Sequence, residues 1–174
     1  VTGECRFSYA NLWEAKAMDE NSKPKYSVSL IIPKSDTKTI EKVKAAIQAA
    51  YDEGKSKLSN GKSVPSLNSI KTPLRDGDID RPDDEAYANS YFINANSIIA
   101  PGIVDADRQP ILEHSEIYSG IYGRASITFY AFNTKTSRGI ACGLQNVQKL
   151  RDGEPLGGHS SAEEDFADDE DFLN

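Results

Sequence analysis

With 174 residues the chain has the length of one domain and can bury a core without disulfides or metal. Two distant cysteines, two histidines and no apolar run near the ~20 residues of a membrane span exclude a disulfide scaffold and a spanning helix, and predict a soluble protein of a reducing compartment. The formal net charge of −7 rests on 27 acidic against 20 basic residues, but taking away the seven acids of residues 163–174 leaves 20 against 20, so a low pI does not describe the folded surface.

No secretory signal is visible, and the first residue is Val1 rather than Met, which leaves a removed targeting segment open. Val1 to Tyr9 reads as a strand, with Cys5, Phe7 and Tyr9 alternating against Glu4, Arg6 and Ser8, and the chain runs on to its single tryptophan, Trp13. After the polar turn MDENSKPK, the alternating apolar residues Tyr26, Val28, Leu30 and Ile32, closed by Pro33, predict a second strand in a hairpin with the first. Ser35 or Asp36 caps a helix whose apolar positions Ile40, Val43, Ile47, Ala50 and Tyr51 follow the helical period and end near Gly54.

Lys55 to Asp84 is rich in Ser, Asn, Gly, Pro and charge and too poor in apolar residues for a core element, so it predicts a long loop excursion with room for a short helix. Strands are expected again at Tyr87 to Ile99, before the Pro101-Gly102 break and the DADRQP turn. Another spans 117–133, bent at Gly120 or Gly123, and the last runs from Ile140 to Lys149 before RDGEPLGGHSS leads out to the tail. Five or six strands with turns between neighbours and one added helix predict a mainly β chain, a small curved antiparallel barrel.

The stretch IYSGIYGRASITFYAFN, residues 117–133, has two unlike faces. Ile117, Ser119, Ile121, Gly123, Ala125, Ile127, Phe129 and Ala131 form the side expected to meet a core. The other side carries Tyr118, Tyr122, Tyr130, Phe132 and Arg124, an aromatic stripe with one guanidinium where solvent is expected. Rings that stack on bases and cations that track phosphates are what a sequence-tolerant surface for single-stranded nucleic acid needs. The competing reading covers this face too, by the helix or the excursion, and buries the rings for packing.

Other motifs fail on spacing. Gly61-Lys62-Ser63 resembles the end of a phosphate-binding loop, but Ser56 stands where the first glycine belongs and a helix precedes it instead of a strand. Asp76, Asp78 and Asp80 have calcium-loop spacing, yet Arg81 replaces the needed glycine and Tyr87 the closing glutamate. Cys5, Cys142, His114 and His159 offer no paired spacing for zinc, and neither histidine is placed to activate a nucleophile, so nothing calls for a cofactor or an enzyme.

In EEDFADDEDFLN the acids are interleaved with Phe166, Phe172 and Leu173 after a Gly-rich linker; the segment cannot fold alone and reads as a flexible end. Tethered to a cationic groove, such a polyanion competes with nucleic acid at high effective concentration, and its apolar end can dock on partner proteins.

The blocks SYFINANS, PGIVD, IYSGIYGRASITFYAFN and TSRGIACGLQNVQKLRDGEPLGG, in that order, resemble the signature blocks of a phage-encoded single-stranded DNA-binding protein family. The resemblance covers nearly the whole chain to Gly158. It implies an OB-fold domain over 1–158, a flexible acidic tail over 159–174, and non-sequence-specific ssDNA binding in DNA replication and recombination in the cytoplasm of a bacterial host. It also implies that the tail, through Asp168, Asp169, Glu170, Asp171, Phe172 and Leu173, recruits replication or recombination proteins; a homodimer stays open. The tail ends in Asn174, where the family pattern has an aromatic residue. On this reading Tyr118, Tyr122, Arg124, Tyr130 and Phe132 form the binding face, Trp13 and Tyr91 extend the stacking platform, and Lys25, Lys71 and Arg75 take phosphates. The alternative from another class is a protein-interaction or virion module with the tyrosines in its core. A metal-dependent nuclease built on the Asp76 to Asp84 cluster is a further one.

Overall fold

In the computed structural model, which describes residues 1–17, 19–59 and 61–156, seven strands form one sheet. They are β1 (Cys5–Lys16), β2 (Lys25–Pro33), β3 (Leu74–Asp76), β4 (Ser90–Ser97), β5 (Gly102–Val104), β6 (Tyr122–Asn133) and β7 (Arg138–Arg151), with helices α1 (Thr37–Glu53), α2 (Lys55–Ser59) and α3 (Gly77–Asp80). The strand order is β3-β4-β2-β1-β6-β7-β5. A single parallel contact of Asn96 on β4 with Gly143 on β7 joins the two halves of the sheet, so that β1, β2, β4, β7 and β6 curl into a barrel-like sheet broadly as expected from the sequence, although this closure and the β5–β7 pairing are parallel and not antiparallel. β3 and β5 are short edge strands that the sequence pattern does not reveal.

The barrel interior follows from period-two patterning. Val28, Leu30 and Ile32 of β2 meet Cys5, Phe7, Ile93, Ala95, Ile140, Cys142 and Leu144 in one buried cluster. Both cysteines are free thiols in that core, and burial pushes Cys5 up to about 11 and Cys142 up to about 12, which keeps them protonated and inert.

The Asp36 side chain caps α1 by accepting from the Thr39 amide at 3.2 Å, and Gly54 ends it. Its buried face, Ile40, Val43, Ile47 and Ala50, completes the core. At Gly54 the helix end comes so close to Ala131 of β6 that a Cβ would overlap that side chain. The helix therefore packs on the odd-numbered side of β6 and leaves the even-numbered side uncovered by it.

Four segments depart from the sequence pattern. The strand expected over 117–133 begins only at Tyr122: His114–Glu116 is a 3-10 turn, and Gly120 takes a φ of +124° that turns the chain. The excursion is structured. Beyond α2, β3 and α3 it contributes the 3-10 turn Leu67–Ser69; after it, the strand expected from Tyr87 begins only at Ser90, because Glu85–Tyr87 is a 3-10 turn where fully buried Tyr87 packs edge-on to Phe92 at 5.0 Å and donates to Ser29 Oγ at 3.0 Å. Ile31, Tyr87 and Phe92, with Ala86 and Leu156, form a second apolar cluster, so the turn that follows the excursion and the chain beyond β7 cover part of the outer face. Tyr9, expected on the core side with Cys5 and Phe7, is 56% exposed. The pairing slips from Ser8 opposite Ser29 to Asn11 opposite Ser27, and the extra residue in β1 reverses the alternation.

Candidate nucleic-acid interface

Residues directly opposite on paired strands share a face, so the registers trace rows around the outside of the barrel. One row runs Thr128, Gly143, Asn96, Ser27, Asn11 over β6, β7, β4, β2 and β1. Its side chains are short and polar, and Asn11 Nδ2 donates to Ser27 Oγ at 3.3 Å. At Gly143 a Cβ would stand 2.9 Å from Thr128 Oγ1 and 3.6 Å from the Tyr130 ring, so glycine keeps the flank of that ring open. The result is a shallow lane of amides and hydroxyls.

The expected stripe residues border this lane unequally. Tyr130 is 47% exposed and stands one row along from Thr128. Phe132 follows opposite Gly139, and Gly139 bridges in turn to Lys71, whose backbone carbonyl accepts from Ile140 N at 2.8 Å. The structure thus brings Tyr130, Phe132 and the exposed Lys71 together. Toward the other end of β6, Arg124 is exposed and anchored by a 2.6 Å bond from Nε to Gln148 Oε1, which itself is held by the carbonyls of Asp105 and Ala106.

A second row runs Arg151, Tyr122, Arg6, Ile31, Phe92, Arg75. It mixes rings and guanidiniums as the stripe does, but they are engaged with one another. Arg151 lies 3.7 Å from the Tyr122 ring centroid and pairs with Glu4 at 2.6 Å. Arg6 is 5.4 Å from the same ring and donates to the carbonyls of Gly120 and Glu154. Arg75 pairs with Asp80 at 3.0 Å.

The remaining expected residues scatter. Tyr118 precedes β6 and is tied to the chain beyond β7: its hydroxyl donates to the Gly153 carbonyl at 2.8 Å. Tyr91 shares the inner face with Ile32 and lies under Lys34 and Lys44 at 5.3 and 5.8 Å, on the α1 side and away from the lane. Trp13 is half-buried, donates through its indole N–H to the His114 carbonyl at 3.0 Å and stacks on that imidazole at 4.3 Å and 8°. Lys25 is exposed opposite Lys16 at the same end of the hairpin.

The aspartates with calcium-loop spacing are spent on cations. Asp76 and Asp78 hold Lys34 at 3.0 and 2.8 Å, which pushes the lysine up to about 12 and the Asp78 carboxyl below the usual range. Lys149, only 8% exposed, is held by Asp152 at 2.6 Å and Glu116 at 2.8 Å, and its charge keeps the Asp152 carboxyl low. Sequence reasoning missed Arg6 and Arg151 as partners of Tyr122, His114 as the partner of Trp13, and the whole Asn–Ser lane. The block SYFINANS carried the lane's Asn96 in plain view, two residues from Asn94 on the same face of β4.

Known proteins share this fold and sequence pattern. The family model for the ssDNA-binding protein of Enterobacter phage Enc34 matches residues 1–173. Protein p50 of Acyrthosiphon pisum secondary endosymbiont phage 1 is 31% identical over 170 residues, covering 94% of this chain and 89% of that one. The solved structure of the bacteriophage Enc34 single-stranded DNA-binding protein in complex with ssDNA is similar at a TM-score of 0.73 and 25% identity, over 88% of this chain and 86% of that chain. The gp2.5 single-stranded DNA-binding protein of bacteriophage T7 shares the fold at a TM-score of 0.60 and 16% identity, over 97% of this chain and 92% of that chain. The chain belongs to the family of the Enterobacter phage Enc34 ssDNA-binding protein.

Proposed function

We propose that this chain binds single-stranded DNA without reading its sequence, in phage DNA replication and recombination. The family is one of binding proteins, not of enzymes. The observation that carries the reading is the open lane of Thr128, Gly143, Asn96, Ser27 and Asn11 with Tyr130, Phe132 and Lys71 along its border. Bases stack on the exposed Tyr130 ring and the half-buried Phe132 ring, the short amides and hydroxyls accept any base edge, and Lys71, Lys25 and Arg124 take phosphates. Tyr118 is tied to Gly153 and Tyr122 is held between Arg6 and Arg151, Trp13 extends the platform with His114, and Arg75 reaches phosphate only by leaving Asp80. The solved relative in complex with ssDNA supports the same class of ligand.

The acidic tail, with Asp168, Asp169, Glu170, Asp171, Phe172 and Leu173, lies outside the described residues, as does the boundary between a 1–158 domain and a 159–174 tail. It serves as a tethered competitor for the groove and as the docking segment for replication or recombination proteins in the bacterial host cytoplasm. The last described residue, Leu156, whose amide donates to the Ser119 carbonyl at 2.9 Å, packs on the outer-face cluster of Ile31, Tyr87 and Phe92. Among the described residues no helix is long and apolar enough to cross a membrane.

The test is anisotropy of a labelled oligo-dT of about 30 nucleotides with the full chain and with a chain ending at Ala162, each at two salt concentrations. Salt-sensitive binding that tightens on truncation is expected, and light scattering of the same samples separates a monomer from a homodimer. Binding by neither chain would return the face to a protein-interaction role. Equal binding by both would remove the tail from the groove.

A further inference from the structure

Tyr9 is held in a conformation that its side chain disfavours, and burial does not compensate for it. Its φ is +46°, in the left-handed region, and the residue is 56% exposed. Among the described residues two other non-glycine positions share such a φ, Asn89 and Arg108, and both stand in turns; Tyr9 alone stands inside a strand. The position is the extra residue of a β-bulge, where one common bulge type places a glycine. A tyrosine kept in a glycine's conformation, with its ring in solvent, is kept for what the ring meets.

Above that ring is Arg81, its guanidinium 5.4 Å from the Tyr9 centroid, 5.4 Å from Tyr87 and 5.7 Å from Phe92. Tyr87 and Phe92 are buried and fixed, so the stem of Arg81 has a rigid apolar floor. Arg75, Arg151, Lys34 and Lys149 are each neutralised by a carboxylate, whereas Arg81 has no carboxylate partner among the described residues. A guanidinium oriented by rings keeps its N–H donors available for an anion. The pair also continues the lane: Tyr9 lies between Ser8 and Asn11 on β1, and Asn11 Nδ2 donates to the Tyr9 carbonyl at 3.2 Å.

We infer that Tyr9 and Arg81 form one nucleotide subsite, with a base stacked on the exposed Tyr9 ring and the adjoining phosphate held by Arg81. This rests on the ssDNA reading above and adds to it a site on β1 and the excursion, remote in sequence from the β6 stripe.

The bulge makes the test sharp, because Tyr9→Gly removes the ring and relieves the backbone at once. In the full chain, Tyr9→Gly should weaken oligo-dT binding about 5- to 20-fold while the melting temperature stays level or rises. Tyr9→Trp should restore the affinity. Arg81→Gln should lower the salt slope of log K by about 0.7, the share of one phosphate on a single strand, whereas Tyr9→Gly leaves that slope unchanged. Wild-type affinity in Tyr9→Gly, or a drop in its melting temperature, would overturn the subsite and make Tyr9 a packing residue. An unaltered salt slope in Arg81→Gln would remove Arg81 from it. A wild-type chain that fails to bind oligo-dT at low salt would overturn the ssDNA reading itself, a result distinct from either.

Discussion

Two rows of residues cross the same outer face, and they differ in what their side chains are already doing. The row from Arg151 through Tyr122 and Arg6 to Phe92 and Arg75 has the rings and cations that a nucleic-acid surface needs. Its cations are committed to Glu4, Asp80 and backbone carbonyls, and its middle is covered by Tyr87 and Leu156. The row from Thr128 to Asn11 has only short polar groups and a glycine, yet it is the one left open, with Tyr130, Phe132 and Lys71 on its border. A surface binds with what its own fold has left unpaired. An aromatic–cation composition serves packing as well as recognition, and only the hydrogen-bond and ion-pair partners tell the two apart.

Substitutions should separate the rows. The largest effect is expected at the covered row: Phe92→Ala removes a buried ring from the second cluster and should cost about 3 to 5 kcal/mol of stability, read by denaturant unfolding. Tyr130→Ala and Phe132→Ala should do the reverse, weakening ssDNA binding by about 1 to 3 kcal/mol per lost base stack with little change in unfolding midpoint. A large loss of stability in Tyr130→Ala would erase the contrast between the rows. Lys71→Gln should flatten the salt dependence of log K by about 0.7 while Arg75→Gln, whose charge is already paired with Asp80, leaves it nearly unchanged.

The smallest effect is in acid. Asp78 and Asp152 have folded-state carboxyls below the usual range because Lys34 and Lys149 hold them. Their contribution is therefore complete above the unfolded carboxyl value of about 4 and is lost as pH falls through the lower folded values. Both groups are exposed, so a melting curve followed from neutral pH into acid should show a shallow decline below pH ~4, and salt should blunt it.

Much of the barrel was legible in the residues. The period-two runs of β2 and β7, the Asp36 cap with Ile40, Val43 and Ile47 on one face, and the two faces of Tyr122–Asn133 are local patterns, and burial of one side suffices to select them. β3 and β5 were not legible, because a three-residue edge strand is made by its partner and not by its own propensity. Nor was the reversal at Tyr9: a bulge is an agreement between two strands on register, invisible in either alone. The stripe of Tyr118, Tyr122, Arg124, Tyr130 and Phe132 was read as one surface, and the fold divides it. Gly120 takes Tyr118 off the strand, Arg151 occupies Tyr122, and Tyr130 and Phe132 remain at the border of the lane.

By itself the sequence determined which faces are apolar, where the helix begins and ends, and that the excess acid belongs to residues 163–174. The tertiary structure decided which rings and cations are left unpaired. Alternation and capping act between neighbours in the chain, whereas availability depends on partners such as Glu4 with Arg151, Asp80 with Arg75 and Tyr87 with Ser29, brought together by strand pairing and by the folding of the excursion over the sheet.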